Sequence, residues 1–110
     1  MISIIVPIYN EKQSLLGLLD RLKKALCQIN QNSEIIFIDD HSTDGTWKEL
    51  LKFRPAYNLR LFQKQGRKGK AFSLIEGFEI AQGDILVMID SDLQYPPEAI
   101  PSMIKALEKA

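Results

Sequence analysis

Apolar residues recur along this chain in two rhythms. Ile2 to Ile8 is a short β-branched run, apolar on both parities, which predicts a strand covered on both faces with Pro7 confined to its end. Leu15, Leu16, Leu18, Leu19, Leu22, Leu26 and Ile29 then return at helical spacing, opposite Asp20, Arg21, Lys23 and Lys24. That predicts an amphipathic helix of about five turns, with Asn10 as a candidate cap.

The alternation repeats. Glu34 to Ile38 predicts a second strand ending in Asp39-Asp40, and the turn formers of His41-Ser42-Thr43-Asp44-Gly45-Thr46 lead into a helix face of Trp47, Leu50, Leu51 and Phe53 that Pro55 should stop. Leu59-Arg60-Leu61-Phe62 reads as a third strand and Gly66-Arg67-Lys68-Gly69-Lys70 as a basic loop. Phe72, Leu74, Ile75, Phe78 and Ala81 mark a helix over 71–82, with Gly83 placed to terminate it. Asp84 to Ile89 predicts a fourth strand, and Pro96-Pro97-Glu98 opens a last helix carrying Ile100, Met103, Ile104 and Leu107.

Strands alternating with helices predict an α/β fold, a three-layer α/β/α sandwich with a mostly parallel sheet, because parallel neighbours need long crossovers. Its ligand should sit at the carboxyl ends of the strands. The 110 residues suffice for one domain, and no composition shift or repeat divides them. Lys and Arg number 14 against 14 Asp and Glu, so no net field favours nucleic acid or an anionic membrane. The single Cys27 excludes an internal disulfide, reads as a small buried side chain and fits a reducing compartment, by default the cytoplasm. No signal peptide opens the chain, and no apolar run approaches the roughly 20 residues of a membrane span.

Asp90-Ser91-Asp92-Leu93-Gln94 follows the fourth strand directly. In extended backbone Asp90, Asp92 and Gln94 point the same way, and two carboxylates with an amide oxygen suit Mg²⁺ or Mn²⁺ while leaving positions for diphosphate oxygens. The same acids can equally cap the next helix. Asp39 and Asp40 close the second strand at the same edge, where a carboxylate can accept hydrogen bonds from a base or a ribose; Asp40, Ser42 and Asp44 can also serve as caps, and Asp44 is assigned to that role. After the first strand, Tyr9 offers an aromatic face and Glu11 an acceptor, though Asn10 with Gln13 also reads as a capping pair.

Together, Val6-Pro7-Ile8-Tyr9-Asn10-Glu11, Ile36-Phe37-Ile38-Asp39-Asp40-His41-Ser42-Thr43-Asp44-Gly45-Thr46, Lys68-Gly69-Lys70-Ala71 and Asp90-Ser91-Asp92-Leu93-Gln94-Tyr95-Pro96-Pro97-Glu98 resemble the inverting family 2 glycosyltransferases of GT-A fold, most closely their polyprenyl-phosphate branch. The resemblance implies a Rossmann-like half that binds a UDP- or GDP-linked sugar. Pro7, Tyr9, Glu11, Ile38 and Asp40 would line the nucleoside pocket, with Asp39 beside it. Asp90, Ser91 and Asp92 would border the diphosphate and sugar, with Asp92 the foremost metal ligand, Gln94 its helper, and Lys70 or Lys68 neutralising phosphate. His41 stands where the family often has glycine and Ser91 where the lipid-phosphate branch usually has alanine; His41 is read as a spectator, not as a base.

The resemblance also implies chemistry: an acceptor oxygen displaces the nucleoside diphosphate with inversion. A lipid-phosphate acceptor is already anionic and needs no strong base; a saccharide acceptor would need one, and in the family that carboxylate lies beyond this stretch. Residues 1–110 are therefore expected to form the nucleotide-sugar-binding half without the acceptor half, binding donor but turning over poorly. Membrane association, at the cytoplasmic face and in cell-wall or polysaccharide biosynthesis, would come through parts outside this chain. Two other readings stay open, a receiver-like Mg²⁺-binding signalling domain and a non-catalytic nucleotide-binding fragment.

Overall fold

A computed structural model describes residues 1–64, 69–90 and 96–109, with Lys70, Ala71 and Lys109 described by their backbone alone. Strands β1 (Ile2–Ile8), β2 (Ser33–Asp39), β3 (Leu59–Gln63) and β4 (Ile85–Met88) alternate with helices α1 (Leu15–Leu26), α2 (Thr46–Tyr57), α3 (Lys70–Ile80) and α4 (Ile100–Lys109). The strands form one parallel sheet in the order β3-β2-β1-β4.

Right-handed crossovers explain the layers. Stepping outward from β1 to β2 to β3 puts α1 and α2 on one face, and the return from β3 to β4 carries α3 across β1 and β2 on the other. On the first face Ile2, Ile4, Val6 and Ile8 pack with Leu15, Leu18, Leu19 and Leu22 of α1, Leu50 of α2, and Ile100 and Ile104 of α4. β1 is buried along its whole length, as its two-sided apolar pattern requires.

On the other face α3 lies close to the sheet through small residues. Ser73 is fully buried, and a Cβ added at Gly77 would come within 2.5 Å of Ile5 Cγ2. Phe72, Ile75 and Phe78, which mark this helix in the sequence, are instead largely exposed. An apolar rhythm reports that a helix exists; its packing side here follows the glycine that allows close approach.

Other expectations shift locally. α1 is shorter than its apolar repeat suggests, because a 3₁₀ turn at Lys12–Ser14 precedes it and Cys27, which is exposed, closes it. Pro55 lies inside α2, which runs on to Tyr57 and ends at Asn58 in the left-handed region. A proline this near the carboxyl end disturbs only the last turn. Gly83 does not terminate α3; a Cβ there would stand 2.7 Å from the Met1 carbonyl oxygen, so glycine is needed where the chain passes against the start of β1. Met103 and Leu107 of α4 point outward while Pro101 is buried.

At the amino edge of the sheet, Glu34 joins four segments. Its carboxylate accepts the Ser3 hydroxyl at 2.5 Å, the Gln82 N–H at 2.7 Å and Arg60 Nη1 at 2.6 Å, while Arg60 also donates to the Ile80 carbonyl at 3.0 Å. The last turn of α3 is thereby fixed to β1, β2 and β3.

Candidate functional site

At the carboxyl edge the first two βα loops are stitched together. Asn10, at φ 49°, does not cap a helix; its Oδ1 accepts the Thr43 N–H at 2.7 Å and its own N–H donates to Ser42 Oγ at 2.9 Å. Glu11 N–H donates to Thr46 Oγ1 and Lys12 N–H to Asp44 Oδ2. Asp44 also accepts the Thr46 N–H at 3.0 Å, from one residue before the N-cap of α2, which is Gly45 and not Asp44 as the sequence suggests. That hydroxyl and those amides hold its carboxyl below the usual range, the Thr46 hydroxyl foremost.

The two carboxylates after β2 have different surroundings. Asp39 is fully buried beneath the stitched loops, accepts the Ser42 hydroxyl through Oδ1 and leaves Oδ2 without a hydrogen-bond partner. Asp40 extends β-pairing by one step, its N–H donating to the Ile8 carbonyl at 2.9 Å. Its Oδ2 accepts the Gly69 N–H at 2.8 Å, and its Oδ1 lies 3.3 Å from Lys64 Nζ. That second contact is an ion pair outside hydrogen-bond geometry, so Oδ1 has no hydrogen-bond donor.

The alternation of the strands sorts the remaining candidates. Pro7 is the register partner of Ile38, on the α3 side of the sheet. Tyr9 follows with half its surface exposed, and the Glu11 carboxylate accepts the Ser14 hydroxyl at 2.9 Å. Asp90 is half-buried just past β4, where the Ile89 N–H still donates to the Ile5 carbonyl at 3.0 Å. β1 and β4 part company here, so the Tyr9 loop and Asp90 flank the point at which strand order reverses, the usual place for a ligand in an open parallel sheet.

Lys70 is the first residue of α3. Lys68, Ser91, Asp92 and Gln94 lie outside the described residues, so Asp90 is the one member of the expected metal-donor set whose place is described. Among the described residues no three Asp, Glu, His or Cys side chains gather as a metal-holding group. A carboxylate at the strand end nonetheless has the hard oxygen chemistry of Mg²⁺ and Mn²⁺ sites.

His41 stands at φ 64°, a left-handed conformation that glycine adopts most easily. Lys64, which the sequence reading passed over, is 4% exposed at the β3 end of this edge; its one signal in the sequence is a lysine placed directly after a strand.

Comparisons agree with this arrangement. The sequence model described as "Glycosyl transferase family 2" matches residues 3–110. The chain is 38% identical over 107 residues to a dolichol-phosphate mannosyltransferase of Pyrococcus furiosus, covering 97% of this chain and 30% of that protein. It is 39% identical over 109 residues to an undecaprenyl-phosphate 4-deoxy-4-formamido-L-arabinose transferase of Aeromonas hydrophila, covering 96% and 33%. Among solved structures, the mannosyltransferase PcManGT of Pyrobaculum calidifontis in complex with GDP-Man and Mn²⁺ superposes with a TM-score of 0.75 at 28% identity, over 96% of this chain and 32% of that one. The glucosyl-3-phosphoglycerate synthase of Mycobacterium tuberculosis in complex with Mn²⁺, UDP and glucosyl-3-phosphoglycerate does so at 0.72 and 25%, over 97% and 39%. The chain thus spans about a third of the length of the two sequence relatives.

Proposed function

Because this chain belongs to glycosyl transferase family 2, with the three-layer α/β/α arrangement of GT-A enzymes, we propose that it forms the donor-binding side of an enzyme moving a sugar from a UDP- or GDP-linked donor to a polyprenyl phosphate, with inversion. The observation that supports this reading is that Pro7 and Ile38 are register partners at the carboxyl edge, with Asp40 just past β2 and Asp90 just past β4, beside the reversal of strand order.

In this reading Pro7 and Ile38 form the apolar floor under the base, Tyr9 gives it an aromatic wall, and Asp40 accepts an N–H from it. Glu11 and Asp39 act one step back, Glu11 by shaping the start of α1 through Ser14 and Asp39 by anchoring Ser42. Asp90 with Ser91 and Asp92 borders the diphosphate and sugar, and Lys70 or Lys68 balances phosphate charge. Mg²⁺ or Mn²⁺ on Asp90, Asp92 and Gln94 would supply positive charge for the departing diphosphate. A polyprenyl phosphate brings an oxygen that is anionic near neutral pH, so this reaction requires no strong base from these residues.

Among the described residues no helix is long and apolar enough to cross a membrane. In this reading a lipid-linked acceptor meets this unit at the cytoplasmic face of a membrane, held there by segments other than the described helices. The receiver-like alternative requires β1 between β2 and β3, whereas β1 lies between β2 and β4. A non-catalytic nucleotide-binding role differs only in turnover.

Calorimetric titration of UDP, GDP and their sugar conjugates, with and without Mn²⁺, tests the reading. Manganese-dependent binding of one nucleotide series is expected. Absence of binding to all of them, or labelling by acetyl phosphate in their place, would overturn it.

A further inference from the structure

Burying a lysine is costly unless its ammonium is paired and hydrogen-bonded, so a wholly buried one invites the question of what it holds. Lys64 follows β3, and its backbone N–H donates to the Asp39 carbonyl at 2.9 Å, which carries the β2–β3 pairing one residue further. Its side chain is 1% exposed. Nζ donates to the Gly69 carbonyl at 2.9 Å and to Ser73 Oγ at 3.3 Å, sits 5.5 Å from the centre of the Phe72 ring, and faces Asp40 Oδ1 at 3.3 Å.

These contacts close a ring. Asp40 holds the N–H of Gly69 and Lys64 holds its carbonyl, so the residue that precedes α3 is gripped from both sides. Ser73, one turn into the helix, donates its hydroxyl to the same carbonyl at 3.3 Å. The ring divides the labour of the Asp40 carboxylate. Oδ2 builds the fold through Gly69, while Oδ1, buried and 3.3 Å from the Lys64 ammonium, is left without a hydrogen-bond donor. Were the fold alone at stake, apolar residues of similar volume would hold these elements together at least as well.

We propose that Lys64 is a positioning residue of the nucleoside pocket: its buried ammonium neutralises and orients Asp40 so that Oδ1 remains to accept an N–H from the base. The role rests on the donor-binding reading above and adds to it a residue that touches neither phosphate nor metal. Lys64 acts on the base end of the donor through Asp40, so its effect must vanish for a ligand that has no base.

The test compares the unaltered chain with Lys64→Met, which keeps the length of the stem and removes the charge, by titrating GDP, UDP and inorganic pyrophosphate in Mn²⁺. Affinity for the nucleoside diphosphate should fall about tenfold, the scale of one charge-assisted hydrogen bond, while pyrophosphate affinity stays unchanged. Equal nucleotide affinity in both proteins, or a parallel loss for pyrophosphate, overturns the proposal. A measurement on the unaltered protein guards against misfolding of the variant. The Lys64 ammonium should give a slowly exchanging ¹⁵N resonance that shifts on nucleotide binding but not with pyrophosphate; a fast-exchanging resonance indifferent to nucleotide overturns it too. If the unaltered chain binds no nucleotide, the donor-binding reading falls and this one with it, an outcome separate from a Lys64→Met variant that binds normally.

Discussion

Three residues carry stakes that can be read one at a time. Burial raises the Glu34 carboxyl, but the Ser3 hydroxyl, the Gln82 N–H and Arg60 outweigh it and leave its pKa below the usual value. A folded-state pKa below the unfolded one means stabilisation that is complete above the unfolded pKa and lost as pH falls through the folded one. Glu34→Gln should therefore cost about 2 kcal/mol in urea unfolding at neutral pH and flatten the decline of stability below about pH 4. His41 is set by backbone geometry. Since left-handed backbone strains residues with a Cβ, branched ones most, His41→Gly should hold stability within about 1 kcal/mol, whereas His41→Val should lose about 1–2 kcal/mol in the same assay. Asp44→Ala, removing the acceptor for the Thr46 N–H, should cost about 1 kcal/mol.

At the scale of elements, α3 behaves unlike the other helices. Its amino end is tied through Gly69 to Asp40 and Lys64, its carboxyl end through Ile80 to Arg60, and its middle touches β1 at Gly77. Gly→Ala inside a helix ordinarily stabilises by about 1 kcal/mol. Here Gly77→Ala should destabilise by about 1–3 kcal/mol, because the new methyl meets Ile5, and in combination with Ile5→Ala the loss should be smaller than the sum of the two single losses. The strands were legible in the sequence because β-branched runs bounded by turn formers leave few alternatives: β1 runs from Ile2 to Ile8 as its pattern requires. The packing side of α3 was not, since Phe72, Ile75 and Phe78 advertise a buried stripe while Ser73 and Gly77 make the contact. Likewise Asp39 and Asp40 look equivalent in sequence; only the pleat turns one toward Ser42 and the other toward Gly69. Lys64 escaped notice because a lysine past a strand usually faces water.

At the scale of the molecule, the described residues cover the α3 side of the sheet less than its counterpart. Leu86 and Met88 of β4 are 42% and 54% exposed, and Ile75 of α3 is 51% exposed. With balanced charge and a pI of about 6.6, repulsion between copies is weakest near neutrality. Light scattering should show association that rises with concentration and peaks near that pH, and Met88→Lys should reduce it while altering stability by less than about 0.5 kcal/mol.

The order β3-β2-β1-β4 sets a timetable for assembly. Of these four strands β1 is made first, and β2 and β3 can join it on one side as each emerges. Its other edge waits for Ile85–Met88, among the last stretches of these residues to be made. Between the making of β1 and that of β4 the chain must carry an open row of backbone donors and acceptors on β1, a period in which a chaperone has something definite to shield.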